Sequence, residues 1–392
     1  MTKFKIPMYK STFTKQEAKA VYETVSKGII GTREKVKEFE KRFSSYIHAK
    51  NSIAVNNGTS ALHAALLAVG VKDGDEVIVP SYTFISTANV VLYERARPVL
   101  VDCDARTFNV TAEIVEKAIT KKTKAIVAVD MAGMPVDYKA LNEVAQKHSI
   151  PLIADSAESV GAKYKEKIVG NQADIHCFSF FLTKNVSIGE GGMLSTQNKE
   201  YAEKIDILRT HGQTKRYEHK IIGYNYRMTD INAAIGIIQL GKVEKMLKEK
   251  VKVADRYSKE LSKVNGIDVP YIPEYVTRHG WYLYGINVEG GSLLGNAEGS
   301  FDPVKTGWRK EPKGDREKLQ KALAAKGIES EEGFKPVHMQ QIYKKLYGLK
   351  DGDLPNTYKA FTKVLNLPIR QGLRESEIDY IVKSVKEATK KL

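Results

Sequence analysis

Six short apolar runs, each followed by a turn or a stretch that can form a helix, restrict this 392-residue chain more than any other feature. They lie at Asn51–Asn56, Glu76–Val79, Arg97–Asp102, Lys124–Val129, Pro151–Ala154 and Ile175–Phe181. Their length, rich in Val and Ile, is that of a strand. Strands of this kind alternating with helices imply an α/β architecture, a mainly parallel sheet with helices on both faces. In such sheets ligands collect at the carboxyl ends of the strands. Thr59, Phe84, Asp155 and Ser179 all stand at or near strand ends, so four separate stretches are expected to meet at one site.

The flanking segments extend this pattern. Phe13–Gly28 reads as a capped helix, with Thr14 and Glu17 at capping-box spacing. Val36–Tyr46 is amphipathic. The turn Asn57-Gly58-Thr59-Ser60 leads into a helix running to Val69 and places free backbone N–H groups at a helix start, a natural phosphate seat. Ala233–Lys263 is long, apolar at helical spacing and lysine-rich outside, and is expected to lead into a second domain. After it come strand-like segments at Trp281–Val288, a helix at Asp315–Ala325 and a terminal helix at Glu375–Lys390. The expected division is a large domain, 1–250, including the N-terminal arm, and a smaller α+β domain, 251–392. The polar, glycine-rich stretch Glu289–Gly314 reads as a loop or hairpin near the substrate entrance.

Within Ala173–Thr196 a single lysine, Lys184, stands between an apolar strand and the glycine-rich turn Gly189–Gly192. In so basic a chain an ordinary surface lysine is the default. Its neighbours argue otherwise. Ser179 lies five residues before it, and Asp155, ending an apolar strand, lies 29 residues before it. A lysine to form a Schiff base and an aspartate to pair with a protonated pyridine nitrogen are what a pyridoxal-phosphate site requires.

Composition narrows the alternatives. The net charge is +15, but the lysines are spread along helix faces and no basic run interleaves with aromatics. The charge is read as solvated surface with a possible pull on a phosphorylated ligand, and no nucleic-acid partner is expected. No run approaches the length of a membrane span. The opening residues carry no apolar signal segment. Cys103 and Cys177 lie in apolar runs as expected buried thiols, and no zinc-type spacing occurs. A cytoplasmic protein without metal is the expectation.

An ordered set of motifs resembles the DegT/DnrJ/EryC1/StrS family of pyridoxal-phosphate sugar aminotransferases, which have fold type I. The set comprises NNGTSAL at 56–62, VPSYTFISTAN at 79–89, PVLVDCD at 98–104, IADSAESVGA at 153–162, FSFFLTKNVSIGEGG at 178–192, RTHG at 209–212, GYNYRMTDINAAIGIIQL at 223–240 and KPVHMQ at 335–340. The resemblance implies roles. Lys184 carries the cofactor and then acts as the base, with a lowered pKa once freed. Asp155 holds the pyridine nitrogen protonated. Phe84 stacks on the ring. Thr59, Ser60 and Ser179 bind the phosphate. Asn225 reaches the site of the neighbouring subunit, with Arg227 near that interface, so a homodimer is implied. His338 lies near the mouth of the site and touches substrate. Two positions depart from the common pattern. Glu158 stands where Gln or His is frequent beside the phenolic oxygen, and Asp130 where His is frequent.

The implied activity is transfer of the amino group of L-glutamate to a keto carbon of a nucleotide-linked keto-deoxy sugar, with a 4-keto-6-deoxy sugar favoured. A 3-keto sugar or a keto-cyclitol is the alternative acceptor. A binding module that keeps the fold without turnover is the alternative of another class.

Overall fold

The computed structural model describes residues 4–10, 12–28, 31–289 and 314–392. All but the two ends of the glycine-rich stretch Glu289–Gly314 therefore lie outside the described residues. Each of the six apolar runs contains a strand of one sheet: β1 (Asn51–Val55), β2 (Glu76–Pro80), β3 (Arg97–Val101), β4 (Thr123–Val129), β5 (Leu152–Asp155) and β6 (Ile175–Ser179). A seventh, β7 (Gly192–Thr196), completes the order β1-β7-β6-β5-β4-β2-β3. The pairings from β6 through β5, β4 and β2 to β3 are parallel, and β7 runs antiparallel to both its neighbours.

The runs are continuously apolar because both faces of the sheet are covered. Side chains alternate across a strand. Val77 and Val79 face one core with Ile153 and Ile175, against helices α3 (Gly58–Ala68) and α4 (Ser86–Tyr93), which follow α1 (Lys15–Ser26) and α2 (Glu34–Ile47) in the chain. Ile78, Leu152 and Ala154 face the other, against Leu141 and Val144. The same alternation aims the site. Phe178 and Phe180 of the β6 run pack on Phe43 and Phe39 of the amphipathic helix Glu34–Ile47, with ring centroids 5.0 and 5.2 Å apart. Ser179 between them is turned to the opposite face.

The register brings Asp155 and Ser179 to one edge. Val129 is paired with Asp155, Asp155 with Cys177, and Ser179 with Gly192, which is itself paired with Val55. The strand ends that carry Asp155 and Ser179 thus lie beside the β1–α3 turn.

A 32-residue helix, Asp230–Leu261, is capped by Thr229 and runs across the molecule. Ile237, Leu240, Val243, Met246 and Leu247 join the phenylalanine cluster. Val253, Ala254, Tyr257 and Leu261 join a second core beneath a four-stranded antiparallel sheet. That sheet consists of β8 (Ile267–Asp268), β9 (Tyr284–Val288), β10 (Glu331–Glu332) and β11 (Val364–Leu367), in the order β8-β9-β11-β10. The expected boundary at residue 250 falls inside this helix, which changes partners between Leu247 and Val253. Ile6 bridges to Ile328 and packs in the second core, and the Met8 amide donates to Glu329 at 2.7 Å, so the N-terminal arm rests on the C-terminal unit.

Both cysteines are buried and free. Among the described residues no helix is long and apolar enough to cross a membrane, and no cluster of possible metal ligands occurs.

Candidate active site

A cavity of about 550 Å³ opens at the carboxyl edge of the large sheet. Seven of the nine residues singled out in the sequence line it: Thr59, Ser60, Phe84, Asp155, Glu158, Ser179 and Lys184.

One side of this cavity is built by the start of α3. The Asn57 side chain accepts the Ser60 N–H at 2.8 Å. The N–H groups of Gly58 and Thr59, first in the helix, have no intrahelical acceptor and carry the positive end of its dipole. A Cβ on Gly58 would lie 2.9 Å from Ser179 Cβ, and one on Gly192 would lie 2.4 Å from the Asn57 carbonyl oxygen. Both glycines are needed for the turn to approach β6 and β7 this closely.

Asp155 forms the floor. It is buried; its Oδ2 accepts from Thr87 Oγ1 at 2.9 Å and its Oδ1 from the Ala157 N–H at 3.2 Å. Burial pushes its carboxyl up to about 6, against the pull of those two donors and of Lys184. A carboxylate desolvated in this way, with only neutral donors in hydrogen-bond contact, is suited to receive a cation from a ligand.

Lys184 faces Glu158, with Nζ 3.1 Å from Oε1, and lies over the Tyr282 ring at 3.9 Å from its centroid. Burial acts to lower its pKa, but Glu158, Tyr282 and Asp155 outweigh burial and the net shift is upward. The lowered value expected from poor solvation is corrected here, because the amine is buried beside a carboxylate. Glu158 is held from the other side: its Oε2 accepts the Ala132 N–H at 2.8 Å. Ala132 has φ 59° and ψ 8°, a left-handed conformation costing a non-glycine residue about 1 kcal/mol. Its carbonyl accepts the Tyr282 N–H at 3.0 Å. One strained turn therefore sets both the carboxylate and the aromatic face that surround the amine.

Asp130, buried, lies behind this turn. It accepts from Tyr138, Ser156, Ser159 and the Val136 N–H, and so braces the segment between Asp155 and Glu158. At the mouth Phe84 is 56% exposed and meets Phe334 edge-on at 5.9 Å.

Two expected residues lie elsewhere. His338 is fully buried, with Nδ1 2.7 Å from Ser81 Oγ and Nε2 3.1 Å from the Asp351 carbonyl. It does not line the cavity, and burial lowers its pKa. The placement at the mouth is corrected: His338 ties the end of β2 to the 335–340 segment. Asn225 is exposed and does not line its own chain's cavity, although its carbonyl accepts from Asn56 Nδ2 at 3.3 Å, and Arg227 bridges to Val55. Tyr282, Thr183, Thr87 and Phe334 were not found from sequence. Thr183, whose Oγ1 is 2.9 Å from the Tyr282 hydroxyl, stands beside Lys184, and Thr87 lies in the 79–89 motif three residues after Phe84, so adjacency could have raised both; Tyr282 and Phe334 come from distant segments with no local signal.

The residues present fit pyridoxal phosphate. The start of α3 turns its first N–H groups to the cavity and has no space for a Cβ at Gly58, a desolvated carboxylate is suited to a ring cation, and an amine stands in the same cavity wall.

The sequence profile of the DegT/DnrJ/EryC1/StrS aminotransferase family matches residues 11–298 and 304–386. The GDP-perosamine synthase of Caulobacter vibrioides is 40% identical over 349 residues, covering 88% of this chain and 87% of its own. The spore coat polysaccharide biosynthesis protein SpsC of Bacillus subtilis is 34% identical, covering 96% and 95%. Among solved structures, Spr1654 of Streptococcus pneumoniae, provisionally assigned as a sugar aminotransferase, aligns in its PLP form with a TM-score of 0.87 at 31% identity over 97% of each chain. This chain belongs to the DegT/DnrJ/EryC1/StrS aminotransferase family and is a pyridoxal-phosphate-dependent transaminase.

Proposed function

We propose that this transaminase moves the amino group of L-glutamate to a keto carbon of a nucleotide-linked keto-deoxy sugar, with a 4-keto-6-deoxy sugar as the favoured acceptor. The observation that carries the reading is the shared cavity of Lys184, Asp155 and the α3 turn. Its volume of about 550 Å³ lies within the usual range of about 300–1,000 Å³ for ligand sites. The similarity to three bacterial GDP-perosamine synthases supports a nucleotide sugar as acceptor.

Pyridoxal phosphate supplies the carbonyl that takes up the amino group and the ring that draws electrons from the reacting carbon. The chain's own groups do the rest. Thr59, Ser60 and Ser179, with the first N–H groups of α3, hold the phosphate. Asp155 keeps its negative charge against a ring cation, which removes the cost of its burial. Phe84 covers one side of the cavity mouth. Lys184 takes a proton from the carbon bearing the donor amino group and returns one at the acceptor carbon. For this it must be neutral, and Glu158 at 3.1 Å is the group placed to accept its proton. Asn225 is proposed to complete the cavity of a second copy in a homodimer.

The test is direct. The protein loaded with cofactor is given ¹⁵N-labelled L-glutamate and, separately, 4-keto-6-deoxy sugar nucleotides, 3-keto sugar nucleotides and keto-cyclitols. The expected result is label in the 4-amino sugar with release of 2-oxoglutarate. Label in a 3-amino sugar or an aminocyclitol moves the alternative acceptors forward, and label in none refutes the proposal. Mixing inactive Lys184→Ala and Asn225→Ala proteins tests the shared site, since a hybrid dimer has one intact cavity and recovers activity. No recovery refutes the shared cavity.

A further inference from the structure

Lys250 is a buried amine that this chemistry leaves unused. It lies on the helix Asp230–Leu261 and is 5% exposed. Its Nζ donates to Asn185 Oδ1 at 2.8 Å and to the Trp281 carbonyl at 3.0 Å. Among the described residues no carboxylate pairs with it. Glu249, its neighbour on the helix, is turned away to the Gly372 N–H at 3.0 Å. The titratable group on the facing segment is His279, stacked on Trp281 at 4.0 Å and accepting the Trp281 N–H at 2.8 Å. Burial, with Lys250 adding to it, pushes His279 down to about 3, so it brings no charge. Burial alone pushes Lys250 down to about 7.

A lysine held without a counter-ion is costly to keep. Its two acceptors belong to the residues next to the reacting groups: Asn185 follows Lys184, and Trp281 precedes Tyr282, whose ring faces the Lys184 amine. The Asn185 amide cannot turn freely, because its Nδ2 donates to the Gly280 carbonyl at 2.7 Å. Lys250 thus closes a ring of contacts around two segments that are nearly 100 residues apart in sequence, from a helix shared by both cores.

We propose that Lys250 is a positioning residue for transamination: its two hydrogen bonds hold Asn185 and Trp281, and through them Lys184 and the Tyr282 ring, in one arrangement. This rests on amino transfer at Lys184 and not on which sugar is the acceptor. Displacement of a reacting group by about 1 Å costs on the order of 100-fold in rate.

The test uses the full chain with Lys250→Met, Lys250→Arg, Asn185→Ala and the double variant Lys250→Met/Asn185→Ala. Two readouts are taken. One is the pH dependence of visible absorption as added pyridoxal phosphate is captured, which reports Lys184 without any substrate. The other is the single-turnover rate with L-glutamate. The expected result for Lys250→Met is a displaced pH midpoint of capture and a rate lowered about 10- to 100-fold, with the KM for glutamate within twofold. Lys250→Arg restores part of both. The double variant loses less than the two single losses combined, because both single variants cut the same Lys250–Asn185 bond. Additive losses, or a Lys250→Met protein with lower thermal stability but unaltered capture and rate, overturn the proposal. If Lys250→Met does not fold, Asn185→Ala decides alone: wild-type capture and rate there also overturn it. If wild-type protein captures cofactor but shows no turnover with glutamate, the donor is wrong and the capture readout still decides on Lys250.

Discussion

Replacing Glu158 by Gln tests the electrostatic reading of the site most sharply. Unit charges at the 3.1 Å separation of Glu158 and Lys184 interact by about 5 kcal/mol at an effective dielectric constant of about 20. The realised change is smaller, because Asp155 and Tyr282 remain beside the amine. Losing this close opposite charge lowers the Lys184 pKa. Below the pKa, the neutral amine fraction then rises. The neutral amine is what attacks an aldehyde, so protein stripped of cofactor should recapture pyridoxal phosphate faster at pH 7.5 in Glu158→Gln. The assay is stopped-flow absorbance after adding cofactor, across pH 6–9. The fold should persist, since the Ala132 N–H that now reaches Glu158 Oε2 finds the amide oxygen instead. A Glu158→Gln protein whose capture rate and pH profile match the wild type would refute the claim that Glu158 holds the Lys184 proton.

Asp155→Asn should destroy amino transfer yet stabilise the cofactor-free protein. A carboxyl raised from 3.8 to about 6 costs about 3 kcal/mol above pH 6. The sign follows: stability of the wild-type protein without cofactor declines as pH climbs from about 4 to 6, and urea unfolding of the variant should lack that decline. Gly58→Ala forces a Cβ to within 2.9 Å of Ser179 Cβ, an overpacking of about 1–3 kcal/mol; equilibrium dialysis should show cofactor affinity at least about tenfold weaker, and unchanged affinity would mean that the turn can yield. His338→Leu should leave kcat and KM within twofold while lowering unfolding stability by about 1–3 kcal/mol, since Ser81 Oγ and the Asp351 carbonyl lose a partner; a raised KM for the sugar would return His338 to the site.

The parts of this structure that were legible in the sequence are those whose cause is local. Continuous apolar runs can only be strands covered on both faces, and Val77, Ile78 and Val79 are all fully buried as that requires. Thr14 with Glu17 forms the expected capping box. Asn57-Gly58-Thr59-Ser60 shows a capped helix start in its composition, and Lys184 and Asp155 are marked by the strands they end or follow. What sequence did not give was set by contacts between distant segments. Tyr282 faces Lys184 because Ala132, 150 residues earlier, holds its N–H. His338 resembles a pocket histidine in its motif, but Ser81 at the end of β2 takes its Nδ1 and closes it into the core. The N-terminal arm precedes the large unit in the chain but pairs with Ile328, a partner no local pattern announces.

These distant contacts share an electrostatic consequence. Around one cavity the chain buries a carboxyl pushed upward, an ammonium held up by its neighbour, and, one layer behind, a lysine pushed downward. None of these is the arrangement that would maximise stability, since an apolar group in place of Asp155 or Lys250 would avoid a desolvation cost. Groups whose pKa values are driven apart in one site are the usual mark of assigned proton-transfer roles. Here the separation has a structural source: the sheet edge desolvates Asp155, the Ala132 turn delivers Glu158 to Lys184, and the shared helix carries Lys250 in without a counter-ion. A cofactor bringing a phosphate, a ring cation and a carbonyl would meet the helix start, the raised carboxyl and the amine in turn, so the protein's electrostatic strain is relieved in the same places where that cofactor binds.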